Sequence, residues 1–110
     1  MLRFKNLGSG SSGNATLVEA RCGTEVSRLL IDCGLSLKEL SRRLLSADLN
    51  LDDLDALFVT HEHADHINGI DDLRMFSVSQ GRPLPVYGPS ETLDRIRASF
   101  NYIFDDAVRP

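Results

Sequence analysis

All three histidines of the chain fall within one six-residue run, His61-Glu62-His63-Ala64-Asp65-His66. The strand-like segment Ala56-Leu57-Phe58-Val59 leads directly into it, and a helical pattern follows. In extended backbone, residues i and i+2 point to the same side, so His61 and His63 can grip one ion together. Where the chain turns into the helix, Asp65 and His66 project in a new direction, which suits a second ion. Imidazole nitrogen and carboxylate oxygen fit zinc, manganese or iron rather than a soft copper site. A lone histidine at a strand end is usually a cap or a surface residue, whereas three with an aspartate at this spacing read as a metal loop. Glu62 and Ala64 alternate away from the donors, which makes Glu62 solvated or structural.

A second segment carries polar chemistry. Gly8-Ser9-Gly10-Ser11-Ser12-Gly13 has the spacing of a dinucleotide fingerprint, and Asp32 even lies 19 residues after Gly13. That fingerprint needs a helix to open after the glycines, but Ala15 to Ala20 reads as a strand. A glycine-rich turn between strands is the better account, bordering a substrate cleft where Ser11, Ser12 and Asn14 offer hydrogen bonds to phosphate. Cys22 and Cys33 fit neither a CxxC redox pair nor a zinc knuckle, so both are expected to be reduced, small residues beside strands.

The elements that must position these residues follow from periodicity. Leu2 to Leu7 alternates apolar and polar side chains, Ala15 to Ala20 reads as a second strand, and Arg28 to Cys33 as a third, more buried one. Ser36-Leu37-Lys38-Glu39 has the form of a capping box, and Leu37, Leu40 and Leu44 share one face of the helix it opens, with Lys38, Arg42 and Arg43 elsewhere on its surface. A strand is expected over 55–60 and a helix from about His66 to Val78, where Asp71 and Asp72 complement the helix dipole. A short strand follows over 84–87, and Pro89-Ser90 opens a last helix with Leu93, Ile96 and Phe100 on one face. Hairpin strands followed by strand–helix alternation predict an α/β fold with a mixed sheet.

Composition limits the alternatives. The chain of 110 residues suffices for one small domain. Its 42% hydrophobic and 25% charged residues are ordinary for a globular protein. No apolar run approaches a membrane span and the N-terminus lacks a secretion-signal core, which leads to the expectation of a cytoplasmic protein without membrane contact. Twelve basic and sixteen acidic residues give a net charge of -4, and no basic run along the chain marks a dedicated nucleic-acid binder. A nuclease stays open, because bound cations supply positive charge that such a count omits.

His61-Glu-His63-Ala-Asp65-His66 resembles the HxHxDH signature of the metallo-β-lactamase superfamily, and Ile31-Asp32-Cys33-Gly34 resembles its upstream aspartate motif. The resemblance implies that His61 and His63 bind one divalent ion and Asp65 and His66 another. Asp32 would orient the metal loop by hydrogen bonding rather than ligate. The stretch from His63 to Arg74, then Pro85-Val86-Tyr87-Gly88 and Phe100 to Phe104, is similar to the phosphodiesterase branch related to the phosphonate-pathway cyclic-phosphate enzyme. The loop from Gly8 to Asn14 resembles small bacterial hydrolases linked to cell-wall regulation.

The implied protein is a metal-dependent hydrolase, a phosphodiesterase using a hydroxide bridged by two zinc or manganese ions, with iron also compatible. Asp65 would additionally accept or orient the nucleophile's proton. Small phosphorylated substrates are the first expectation and nucleic acid the second. Ribonuclease, thioesterase and lactonase activities are alternatives on the same fold, and a noncatalytic metal-binding interaction domain is an alternative of another class.

Members of the family carry a further histidine, a bridging aspartate and usually a last histidine downstream, and no histidine follows His66 here. Residues 1–110 are therefore expected to form a single partial domain, the N-terminal half of an αββα sandwich with helices on one sheet face. This would reflect a truncated chain or a partial gene, with weak metal affinity and little or no activity alone. Its other sheet face would be uncovered, which favours homo-oligomers.

Overall fold

Alternation of side chains along the first thirty residues gives an antiparallel meander of Leu2–Gly8 (β1), Ala15–Cys22 (β2) and Glu25–Ile31 (β3). Cys22 pairs with Glu25 across the two-residue turn Gly23-Thr24, so β3 begins three residues earlier than the expected start at Arg28. The computed structural model describes residues 1–9, 13–60, 67 and 69–99. After β3 the chain crosses over through the helix Leu37–Leu45 (α1) and a 3-10 turn at Leu51–Asp53 to the strand Ala56–Phe58 (β4). The helix Ile70–Ser79 (α2), the strand Val86–Tyr87 (β5) and the helix Ser90–Ser99 (α3) follow. Strand order in the sheet is β1-β2-β3-β4-β5. β3, β4 and β5 are parallel, because a helix-containing crossover returns each strand to the same end.

Register decides which side chains meet the helices. Leu17, Leu30, Leu57 and Val86 stand opposite one another across four strands. They share one core with Leu40 and Leu44 of α1, Ile70 and Leu73 of α2, and Ile96 of α3. Leu30, Leu40, Leu44 and Leu57 are fully buried, each stabilising the fold by about 2 kcal/mol through lost contact with water. The reverse face carries Phe4, Val18, Leu29 and Ala56 in one row and Thr16, Ile31, Phe58 and Tyr87 in the next. On that face Leu2, Phe4 and Tyr87 are 58%, 67% and 56% exposed, so among the described residues the helices cover one side of the sheet. This is the α/β architecture of a mixed sheet with helices on one face. Among the described residues no helix is long and apolar enough to cross a membrane.

Helix α1 starts as its sequence predicts in one respect and departs in another. The Ser36 hydroxyl accepts the Glu39 backbone N–H at 3.2 Å, which caps the first turn. Glu39 does not complete the reciprocal half of the capping box. Its carboxylate instead accepts from Arg42 and Arg43 one turn along the helix, and those charge-assisted bonds outcompete a neutral amide. The two guanidiniums hold the Glu39 carboxyl down at about 2, well below its ordinary 4.5. Arg43 is not a plain surface residue either, since its other nitrogen donates to the Leu7 carbonyl at the end of β1.

Candidate metal centre

β3 and β4 end side by side, and the segments leaving their C-terminal ends are where ligands gather in sheets of this kind. Asp32, the first residue beyond β3, is 5% exposed and has φ 64°, a left-handed conformation that aspartate tolerates better than most residues. Its backbone N–H donates to the Phe58 carbonyl at 2.8 Å, extending the β3–β4 pairing by one residue. Its carboxylate then turns to the residue that opens the histidine run. Oδ1 accepts the Thr60 backbone N–H at 2.8 Å, and Oδ2 accepts the Thr60 hydroxyl at 2.7 Å.

The far end of the same loop is tied to the neighbouring residues. Gly69 donates its N–H to the Cys33 carbonyl at 2.8 Å. A Cβ at Gly69 would lie 1.9 Å from the Leu35 carbonyl oxygen and 2.9 Å from Cys33 Sγ, a backbone approach that only glycine permits. The end of the Gly/Ser loop joins the same hub, because Gly34 donates its N–H to the Asn14 carbonyl at 2.9 Å. A Cβ at Gly13 would stand 2.8 Å from the Gly34 carbonyl oxygen. Residues 32–35 thus hold three chain segments, two of which flank the histidine run and one the Gly/Ser loop.

The proposed ligands His61, His63, Asp65 and His66 lie outside the described residues, as do Ser11 and Ser12. Asn14 is half-buried at the hub, and Asp32 is beside Thr60. Among the described residues no group of three histidine, cysteine, aspartate or glutamate side chains is placed to hold a metal.

Cys33 is fully buried, with its Sγ 3.9 Å from the Leu35 carbonyl oxygen. Burial pushes its thiol up to about 12, and the carboxylates of Asp32, Asp71 and Asp72 act in the same direction. It is a packed, unreactive thiol, and Cys22 at the hairpin turn is free and exposed. Asp71 and Asp72 do lie in the first turn of α2.

Three features of the structure were not legible in the sequence. Thr60 and Gly69 anchor the loop through partners 28 and 36 positions away, and only adjacency to the histidine run marked them. Arg74, on α2, is fully buried, and desolvation pulls its guanidinium below the ordinary arginine value. Its place in a helix rich in polar residues gave no sign of that burial.

The chain matches the family model described as a β-lactamase superfamily domain over residues 27–109. It is 41% identical over 91 residues to an exodeoxyribonuclease YycJ from Bacillus anthracis, covering 83% of this chain and 31% of that protein. It is 32% identical over 93 residues to a ribonuclease Z from Crocosphaera subtropica, covering 83% of this chain and 29% of the relative. The structure superposes on the short form of human tRNase Z with a TM-score of 0.62 at 26% identity, covering 98% of this chain and 41% of the human one. The chain therefore spans about a third of the length of the curated relatives it matches. With the family model running through most of β3, the Asp32 hub, the histidine run and the three described helices, the chain belongs to the β-lactamase superfamily domain family.

Proposed function

We propose that this chain is the metal-loop half of a metal-dependent phosphodiesterase acting on nucleic acid, with His61, His63, Asp65 and His66 as ligands of two divalent ions, zinc or manganese. The observation that carries this reading is the anchoring of both ends of the histidine run on one segment, Thr60 on Asp32 and Gly69 on Cys33. A loop fixed at both ends loses little entropy when it closes on an ion, so its donors act from a prepared frame. The donor set agrees, since three imidazoles and a carboxylate without a thiolate suit hard-to-borderline divalent ions with open positions rather than a closed structural zinc. When bound, the ions would supply a water of lowered pKa and positive charge opposite the phosphoryl oxygens.

The chain's own residues divide the remaining work. Asp32, whose two carboxylate oxygens accept from Thr60, would position the loop rather than ligate. Asp65, besides ligating, would accept or orient the proton of the attacking water. The Gly/Ser loop, tied to the hub through Asn14, would present Ser11, Ser12 and Asn14 to a phosphate. The exodeoxyribonuclease and ribonuclease Z names of the relatives favour a phosphodiester in nucleic acid over a small cyclic phosphate. Residues 1–110 then form one partial domain, and a second segment supplies the remaining ligands and covers the bare sheet face.

Elemental analysis of the purified chain against His63→Ala tests the ligand set. Zinc or manganese retained by the chain and lost in the variant supports it, and metal unaffected by His63→Ala overturns it. Alone, the chain is expected to hold metal weakly and to turn over little or no phosphodiester. Robust turnover by the 110-residue chain, abolished by His63→Ala, would refute the need for a second segment.

A further inference from the structure

Beyond the end of α1, the helix-covered face of the sheet opens into a cleft of about 270 Å³. Arg3, Glu19 and Arg28 stand opposite one another across β1, β2 and β3. Lys5 and Arg21 lie two residues along from Arg3 and Glu19, and therefore on the same face. Only Arg28 makes a close ion pair, Nε to Glu19 Oε2 at 2.9 Å. Arg21 and Arg3 approach Glu19 Oε1 at 3.5 and 3.8 Å, and Lys5 has no ion-pair partner among the described residues. The Glu19 side chain is 12% exposed at the floor, whereas those of Arg3 and Arg21 are 68% and 45% exposed at the rim. The surrounding guanidiniums hold the Glu19 carboxyl below the usual carboxylate range.

Satisfying Glu19 accounts for Arg28 and not for the rest. Loose, exposed pairs contribute little to stability, so stability alone does not explain two more arginines on this carboxylate and a lysine beside them. With Asp48 on the opposite wall, the lining holds four positive and two negative side chains, a local +2 in a chain whose net charge is -4. The cations run across three strands about 4.8 Å apart, an elongated row suited to successive phosphates more than to one ion. Guanidinium forks match phosphate oxygens in pairs. Arg28 lies about 13 Å along β3 from Asp32 at the usual rise per residue, so the cleft is displaced along the sheet from the Asp32 hub.

We propose that this cleft binds the phosphates of a single-stranded nucleic acid, at a site separate from the metal loop. The phosphate chemistry stands on the cluster itself, and the choice of nucleic acid as its carrier rests on the nuclease reading above. Arg3, Lys5 and Arg21 make the contacts, and Arg28, locked on Glu19, sets the floor and adds its charge.

The test is fluorescence anisotropy of a labelled oligothymidylate with the 110-residue chain, in chelator so that no metal-dependent cleavage occurs. Single strands lose affinity with a log–log salt slope of about -0.7 per neutralised phosphate, so the three contacting cations predict a slope of about -2.1 and a roughly 18-fold loss from 50 to 200 mM salt. The triple variant Arg3→Gln, Lys5→Gln, Arg21→Gln, which changes only rim residues, should lose nearly all of that salt dependence. Lys5→Glu, checked for native circular dichroism, repeats the test with one substitution. His63→Ala should bind like the parent chain, which separates this site from the metal loop. Inorganic phosphate as competitor should displace the oligonucleotide only at high concentration. Absence of oligonucleotide binding, binding unchanged in the triple variant and in Lys5→Glu, binding lost in His63→Ala, or displacement by phosphate as readily as by unlabelled oligonucleotide would each overturn the proposal.

Discussion

Asp32→Ala removes both hydrogen bonds that fix Thr60, the 2.8 Å bond to its N–H and the 2.7 Å bond to its hydroxyl. Hydrogen bonds to charged acceptors contribute about 1.5 to 3 kcal/mol each. Thr60 itself is exposed, so water can partly replace the lost acceptor and the lower figure applies to each bond. Alanine must also take up φ 64°, where it lacks the local hydrogen bonding that helps aspartate, at a further cost of about 1 kcal/mol. Together these give a destabilisation of roughly 4 kcal/mol. Asp32→Asn keeps the shape, an acceptor for the Thr60 N–H and the tolerance for the left-handed backbone, and loses only charge, so about 1 kcal/mol is expected. Thermal unfolding followed by circular dichroism resolves the two, since each kcal/mol moves the midpoint by about 4 to 8 °C in a domain of this size. A midpoint for Asp32→Ala within about 4 °C of the parent would show that the Asp32–Thr60 pair does not hold the loop. If Asp32 orients the proposed metal ligands, its loss should also weaken binding of the divalent ion about 10- to 100-fold.

Gly69→Ala should be destabilising by about 3 kcal/mol or more, because its Cβ would sit 1.9 Å from the Leu35 carbonyl and force the backbone apart. A denaturation midpoint matching the parent would contradict the close approach. The Glu39 clamp predicts an acid dependence of known sign. Its folded value of about 2 lies below the ordinary 4.5, so its contribution is fully present above pH 4.5 and is lost as pH falls through about 2. Glu39→Gln should flatten the stability profile across that window, and an unchanged profile would count against the pairing with Arg42 and Arg43. Cys33, fully buried with a thiol pushed up to about 12, should resist iodoacetamide in the native protein while Cys22 is alkylated. Peptide mass analysis would show one labelled cysteine before unfolding and two after it, and early labelling of Cys33 would refute its burial.

What the sequence determined by itself was local. The alternation along β1 and β2, the leucine stripe of α1 and the Ser36 cap depend on residues within one or two turns, and the structure keeps them. The histidine run was legible because its donors are contiguous in the chain. Bounds at β3 and β4 shifted because strand ends are set by pairing with neighbours, as when Cys22 meets Glu25 across the hairpin. Glu39 looked like a capping-box residue until two arginines on the next turn took its carboxylate.

Tertiary structure alone decided the longer-range matters. The apolar residues Leu2 and Phe4 could have pointed into the core, yet register and the bulge between Asn6 and Gly8 put Leu7 there and leave Leu2 and Phe4 outside. No basic run appears along the chain, but cross-strand pairing gathers Arg3, Lys5, Arg21 and Arg28 from three strands into one cleft. Asp32 meets Thr60, 28 residues later, because a parallel crossover brings the ends of β3 and β4 together. Periodicity says which face of an element a residue occupies, while only the packed sheet says what that face meets.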